Sequence, residues 1–249
     1  MAGDGLKGRR ILVTRPRDQA RVLARKIAAC GGVPKICPMI EIEPLPPPPS
    51  GWWQGYDWMI FVSANAARMA LAAGLPSRLP VRLAAIGPTT AGVLERAGLP
   101  VACQAPPPYT SESLLSRPEF TAAAGRRLLI VRGVGGRRLL GEELTRRGAT
   151  VVHLALYRRQ PPGSDAIAAL QAGLREGVDA VLATSGEILN HLRQAAGTGL
   201  LQLLRLPLLV AGGRLARLAA QAGFSEVVTA ASARDEAMLA ALERYFANR

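Results

Sequence analysis

Apolar and polar positions along this chain alternate between two periods, short buried runs and longer stretches of helical spacing. The first run, Ile11–Val13, predicts a strand that leaves through Thr14-Arg15-Pro16. Gln19–Ala29 mixes apolar Val22, Leu23 and Ile27 with basic Arg21, Arg25 and Lys26, which predicts an amphipathic helix stopped by Gly31-Gly32. Val33–Ile36 predicts the next strand. Met39–Ser50 alternates and then turns proline-rich, as expected of a connector that is extended first and stiffened by polyproline afterwards. Glu41 and Glu43 fall on one face of it and are expected in solvent. Further on come the apolar runs Tyr56–Val62, Leu83–Ile86 and Val101–Ala105, with helices predicted at Ala66–Ala73, up to Arg96, and after Pro106–Ser113. Leu128–Val131 then opens a second series. Strand, polar turn and helix in this order predict an α/β fold of parallel sheets with helices on both faces.

The second series repeats the first. Arg126–Pro162 lies without a gap on Arg9–Leu45, so that Arg132 falls on Arg15, Gly148 on Gly31 and Pro161 on Pro44. The run beginning at Asp57 returns at Asp179, and Ala84–Val101 returns as Leu209–Val227 with Gly87 on Gly212. Ser113-Leu114-Leu115 is answered by Ala237-Met238-Leu239. A period of this length is too long for a solenoid. It predicts two similar α/β lobes, and a duplicated enzyme of this kind usually works in the cleft between them.

Bulk composition narrows the reading. The 249 residues are 49 % hydrophobic, which fits two globular lobes. The opening MAGDGLKGRR carries no apolar signal segment, and no stretch is long and apolar enough to span a bilayer, so a cytoplasmic protein without a membrane partner is expected. Cys30, Cys37 and Cys103 form no paired motif and lie apart from His153 and His191, so reduced thiols and no metal are expected. The net charge of +13 would suit nucleic acid. Aromatic residues are only 4 %, however, and the arginines are scattered rather than gathered in a stripe. No nucleic-acid partner is expected, and a polyanionic small molecule remains compatible.

In open parallel sheets, ligands bind beyond the carboxyl ends of the strands. The repeat marks those ends as Thr14-Arg15, Ser63-Ala64-Asn65, Gly87-Pro88-Thr89, Arg132-Gly133, Thr184-Ser185 and Gly212-Gly213. Each stands before a helix, where unpaired N–H groups favour anions. Taken singly, each is more readily an ordinary helix cap than a ligand contact, and their recurrence in both copies is what points to a ligand. No Walker or dinucleotide motif and no nucleophile elbow is present; Gly133-Val134-Gly135-Gly136 is only a loose likeness to a phosphate loop. Tyr157 stands out as an asymmetric addition, since the first copy has Ile40 there. An aromatic residue at a strand end is most often packing.

These residues together carry a resemblance. VTRP (Val13–Pro16), DWMIFVSAN (Asp57–Asn65), AIGPTTAGVLERAG (Ala85–Gly98), YTSESLL (Tyr109–Leu115), LLIVRGVGGRRLLGEELTRRGA (Leu128–Ala149) and LYRRQPP (Leu156–Pro162) resemble the uroporphyrinogen-III synthase (HemD) family in order and spacing. The resemblance implies two flavodoxin-like lobes, 1–38 with 162–249 and 44–155, joined by linker strands 39–43 and 156–161, with the active site between the lobes. It implies a monomeric lyase that needs no cofactor and closes hydroxymethylbilane, a linear tetrapyrrole, into a macrocycle with its last ring inverted through a spirocyclic intermediate. Tyr157 then resembles the family tyrosine that assists hydroxyl departure; a phenol ordinarily keeps its proton at neutral pH. Thr14, Arg15, Ser63, Ala64, Asn65, Gly87, Thr110, Ser111, Arg132, Gly133, Thr184, Ser185 and Gly212 are the implied contacts for the substrate's carboxylates. Two places depart from the family pattern, Gly212-Gly213-Arg214-Leu215 and Gly186 after Thr184-Ser185. The other class of protein compatible with the sequence is a two-lobed binding protein for an acidic small ligand, in which Tyr157 only packs.

Overall fold

The computed structural model describes residues 5–247; residues 1–4 and 248–249, the outermost ends of the expected lobe, lie outside it. Among the described residues, eleven strands run in chain order as β1 (Arg10–Val13), β2 (Val33–Ile36), β3 (Glu41–Pro44), β4 (Trp58–Phe61), β5 (Arg82–Ala85), β6 (Val101–Gln104), β7 (Arg127–Gly133), β8 (Thr150–Gln160), β9 (Ala180–Ala183), β10 (Leu208–Ala211) and β11 (Val227–Ala230). They form a five-stranded sheet in the order β11-β10-β9-β1-β2 and a six-stranded sheet in the order β3-β8-β7-β4-β5-β6. The chain divides accordingly into one unit of Met1–Glu41 with Gln160–Arg249 and a second of Ile42–Arg159. Of the residues expected as linker strands, 41–43 and 156–160 are strand, and β3 lies beside β8 within the six-stranded sheet.

The repeat reappears as register. Arg10 pairs with Val33 across β1 and β2, and Arg127 pairs with Thr150 across β7 and β8, the same positions in the two copies. The helix Arg17–Ala29 buries Leu23 and Ile27, and the helix Leu139–Arg146 buries their repeat counterparts Leu140 and Leu144. Gly31 and Gly148 both close those helices with φ of 81° and 85°, a left-handed turn that favours glycine. The duplicated aspartates do one job twice. Asp57 Oδ2 accepts the Arg127 N–H at 2.7 Å, and Asp179 Oδ2 accepts the Arg10 N–H at 2.6 Å. Each thereby satisfies the first exposed donor of the strand beside it. Both sheets thus share one order, but each is assembled from both halves of the chain, β1 and β2 joining β9 to β11 while β7 and β8 join β4 to β6.

Two layers of side chains cover the six-stranded sheet. On one face Met59, Phe61, Leu83, Leu129 and Val131 meet the helices Ala64–Ala72 and Pro88–Glu95. On the other, Trp58, Ile60, Leu128 and Ile130 meet Leu114, Phe120, Leu140 and Leu144. This is the period-2 division expected of a sheet buried on both sides. In the five-stranded unit Ile11, Val13, Leu182 and Leu209 pack against Leu23, Ile27, Met238 and Leu242. The expected solvent-facing glutamates are engaged: Glu43 meets the Arg158 guanidinium with both oxygens at 2.7 Å, and Glu41 accepts the Gly163 N–H at 3.0 Å.

Candidate functional site

Strand β8 is where the site begins. It runs in register with β7 up to Ala155 opposite Arg132, and then slips so that Gly133 stands opposite Tyr157. One residue, Leu156, is left over. A bulge of this kind turns the following side chain, and here Leu156 and Tyr157, consecutive in sequence, are buried in one core cluster. Plain alternation would have put them on opposite faces. The redirected ring lies over Gly133, where a Cβ would stand 2.7 Å from ring atoms Cε2 and Cζ of Tyr157. The tyrosine is 7 % exposed, and its hydroxyl is 2.9 Å from Ser63 Oγ.

Ser63 closes the end of β4 and caps the helix Ala64–Ala72, accepting the Ala66 N–H at 3.0 Å. With that lone pair engaged, its own proton remains available to donate to the tyrosine oxygen. Ser63→Ala removes a cap and this contact together. It should cost about 1 kcal/mol of stability for the cap and about 1 kcal/mol more for the contact, read as a lowered Tm.

A second departure from the repeat opens the space in front of Tyr157. The helix of the first copy begins at Arg17, whereas that of the second begins only at Leu139, five positions later in the repeat frame. Gly135 and Gly136 there have φ of 74° and 83°, and two consecutive left-handed residues do not continue a helix. The loop folds back so that the Gly135 carbonyl accepts from Arg132 Nη2, while Arg132 Nε donates to the Gly133 carbonyl at 3.3 Å. A cavity of about 240 Å³ results, lined by Ser63, Ser111, Arg132, Gly133, Tyr157 and His153 among others. Burial, with Arg132 and Arg138 nearby, holds His153 below the ordinary histidine value, so that its neutral form is favoured. Arg137 reaches from the loop to pair with Glu112, whose carboxyl is kept low by backbone hydrogen bonding first and by Arg137 next.

The structure brings five expected site residues, Ser63, Ser111, Arg132, Gly133 and Tyr157, onto this one cavity. Ala64 and Asn65 open the neighbouring helix, where Asn65 Oδ1 accepts from Arg68. Thr110 caps the helix Ser111–Leu115 in a capping box with Ser113, and Gly87 caps Pro88–Glu95. The others lie in the five-stranded unit. Ser185 caps the helix Gly186–Ala195 next to Thr184, and Gly212 caps Gly213–Gln221 with a φ of 83° that its repeat partner Gly87, at −140°, does not share. Thr14 and Arg15 are turned into their own unit. Thr14 is fully buried with its hydroxyl donating to the Leu182 carbonyl, and Arg15 is 5 % exposed with its guanidinium held by Asp235 and the Ala233 carbonyl. Both side chains are spent on the frame of their own unit. Among the described residues no cluster of His, Cys, Asp or Glu could hold a metal ion, and no helix is long and apolar enough to cross a membrane. The three cysteines are free, and burial pushes the Cys37 thiol up to about 12.

Comparison with known proteins decides the family. Residues 21–240 match the family described as uroporphyrinogen-III synthase HemD. The chain belongs to the uroporphyrinogen-III synthase family. It is 34 % identical over 245 residues to the uroporphyrinogen-III synthase of Salmonella typhimurium, covering 94 % of this chain and 99 % of that protein. To the uroporphyrinogen-III synthase of Escherichia coli it is 35 % identical over 246 residues, with the same coverage of both. A crystal structure of a mutant uroporphyrinogen III synthase from Thermus thermophilus superposes with a TM-score of 0.59 at 22 % identity, over 97 % of this chain and 100 % of that one. The uroporphyrinogen-III synthetase of Helicobacter pylori gives 0.58 at 15 % identity, over 97 % and 100 %. At these identities the two structures bear on the fold alone.

Three basic side chains that line the cavity, Arg137, His153 and Arg159, were not singled out for the site from sequence. Arg159 follows Tyr157 by two and could have been found from the strand's own alternation. Nothing local marks His153, whose imidazole lies against Gly141 of the facing helix, where a Cβ would stand 2.5 Å from Nε2.

Proposed function

We propose that this protein cyclises hydroxymethylbilane to uroporphyrinogen III, with loss of water and inversion of the last ring. The observation that carries the reading is the buried Tyr157 hydroxyl, 2.9 Å from Ser63 Oγ, on a cavity that also holds Arg132. Membership of the family supplies the substrate class, a linear tetrapyrrole bearing acetate and propionate arms.

Tyr157 gives its proton to the departing hydroxyl, the carbon–oxygen bond breaks, and water leaves. The methylene carbon left behind is electron-poor, and the substituted carbon of the last ring attacks it to form the spirocycle. The original bond from that carbon to its bridge methylene then breaks, and the bridge methylene bonds instead to the ring's free carbon, which turns the ring over; the proton shed from the free carbon as the pyrrole regains aromaticity returns to the tyrosine oxygen. Ser63 donates its hydroxyl proton to that oxygen while it is negative, the moment at which the hydrogen bond is strongest. Holding the substituted ring carbon rather than the free one against the methylene is control by orientation. The direct test supplies freshly generated hydroxymethylbilane and identifies the cyclic isomer formed; only an excess of the inverted isomer over the enzyme-free reaction supports the reading.

A further inference from the structure

The run 44–49, PLPPPP, which begins at the last residue of β3, contains one residue that is not proline, Leu45, and so one backbone N–H. That N–H donates at 3.0 Å to the carbonyl of Leu156, the extra residue of the β8 bulge. The carbonyl of the next residue, Tyr157, accepts from the Val134 N–H at 2.8 Å, just past the end of β7. The residue after that, Arg158, is held by Glu43 of β3 with both oxygens at 2.7 Å. Both chain neighbours of the tyrosine are thus tied to residues 43–45. The prolines also reach the element that carries the tyrosine's partner. Leu45, Pro47 and Pro48 border a cavity of about 110 Å³ together with Leu156 and with Met69 and Ala73, at the far end of the helix that Ser63 caps. Among the described residues the other unit has no such strap, since β2, the repeat counterpart of β8, is the outermost strand of its sheet.

We propose that Leu45 is a positioning residue for Tyr157, its backbone N–H pinning the bulge that turns the phenol toward Ser63. Two registers compete at this point of β8. Sliding the strand back by one residue would restore plain alternation and send Tyr157 to the opposite face of the sheet. In the bulged register the carbonyl of Leu156, a residue only 4 % exposed, needs a donor, and a buried carbonyl without one is costly. Leu45 supplies it. The prolines make that choice unique, because a strap moved one place in either direction would present Pro44 or Pro46, which have no N–H. They also hold the donor ready. A residue before proline is confined to extended backbone, so Leu45 gives up little freedom in making the bond. The proposal rests on the reading of Tyr157 as proton donor only for its kinetic consequence; where the hydroxyl sits is a matter of the fold.

The test removes the N–H and keeps the strap. Leu45→Pro lengthens the proline run by one, whereas Leu45→Ala keeps the N–H and loses the side chain. Thermal unfolding then reads the contact between Ser63 and Tyr157 without any substrate. In the wild-type background Ser63→Ala and Tyr157→Phe should be non-additive in Tm, because each removes the same hydrogen bond. That coupling should persist in Leu45→Ala, however far its own Tm falls, and disappear in Leu45→Pro. Should Leu45→Pro fail to fold, an ester in place of the amide joining Pro44 to Leu45 removes the same N–H with the side chain unchanged, and should abolish the coupling likewise. Coupling as strong without the N–H as with it, or none in the wild type, would overturn the pin. Turnover of hydroxymethylbilane gives the second readout. Leu45→Pro should lower kcat about 10²-fold with KM little changed, and should add little to the loss in Tyr157→Phe; losses that multiply would overturn the proposal. If the wild type turns nothing over, the proposed reaction fails and the unfolding cycle still decides the pin.

Discussion

Tyr157→Phe is expected to lower kcat by about 10²–10⁴-fold, the range of a lost general acid, with KM nearly unchanged. The substitution removes one oxygen and leaves the ring, so the packing over Gly133 and within the core cluster persists. Affinity therefore survives, because the ring and the cavity wall remain, while the proton for the leaving hydroxyl is gone. Steady-state kinetics on freshly generated substrate separates the two parameters, and thermal unfolding checks that the fold is intact. Loss of one hydrogen bond to Ser63 should cost only about 1 kcal/mol of stability. Turnover at the wild-type rate would return the tyrosine to packing alone.

Gly133→Ala should be nearly as damaging, by another route. The backbone at Gly133 is not in the left-handed region, so conformation does not demand glycine there; space does. A methyl group 2.7 Å from the tyrosine ring cannot be accommodated unless the ring moves. The ring is held between Ser63 and the strand bulge, and its displacement takes the hydroxyl off its partner. Overpacking of this kind costs about 1–3 kcal/mol of stability, and misplacing a catalytic group can cost about 10²-fold in rate. The double variant Gly133→Ala with Tyr157→Phe should be little slower than Tyr157→Phe alone, since both act through one oxygen. Multiplying losses would show that Gly133 serves something other than tyrosine placement.

Much of this arrangement was written in the chain twice, which is why it could be read. The duplicated Asp57 and Asp179 mark the same edge of two sheets, and Gly31 and Gly148 end the same helix. Local pattern and long-range register agree at these positions, so the repeat located the strand ends that carry Ser63 and Arg132, while Tyr157 stood out as a departure from it. Three features escaped for physical reasons. The bulge at Leu156 lies where β8 runs past the end of its repeat counterpart β2 and has β3 beside it, a tertiary arrangement with no local mark. The burial of Arg15 depends on Asp235, 220 residues away in sequence. The unwound turn at Val134–Arg138 was visible as Gly135-Gly136, but a repeat reading favours the helix that its first copy forms there. In each case the two copies differ, and the differences gather around the cavity.

The central claim is that the protein directs ring closure. Hydroxymethylbilane closes unaided to the symmetric, uninverted isomer, so formation of a macrocycle is no evidence by itself. The decisive measurement is chromatographic separation of the two uroporphyrin isomers, after oxidation, from reactions with rising amounts of wild-type protein. The account predicts that the inverted isomer rises with protein concentration until it dominates, and that Tyr157→Phe shifts the ratio back toward the uninverted one by letting spontaneous closure compete. An isomer ratio that stays at the buffer value at every protein concentration would contradict it.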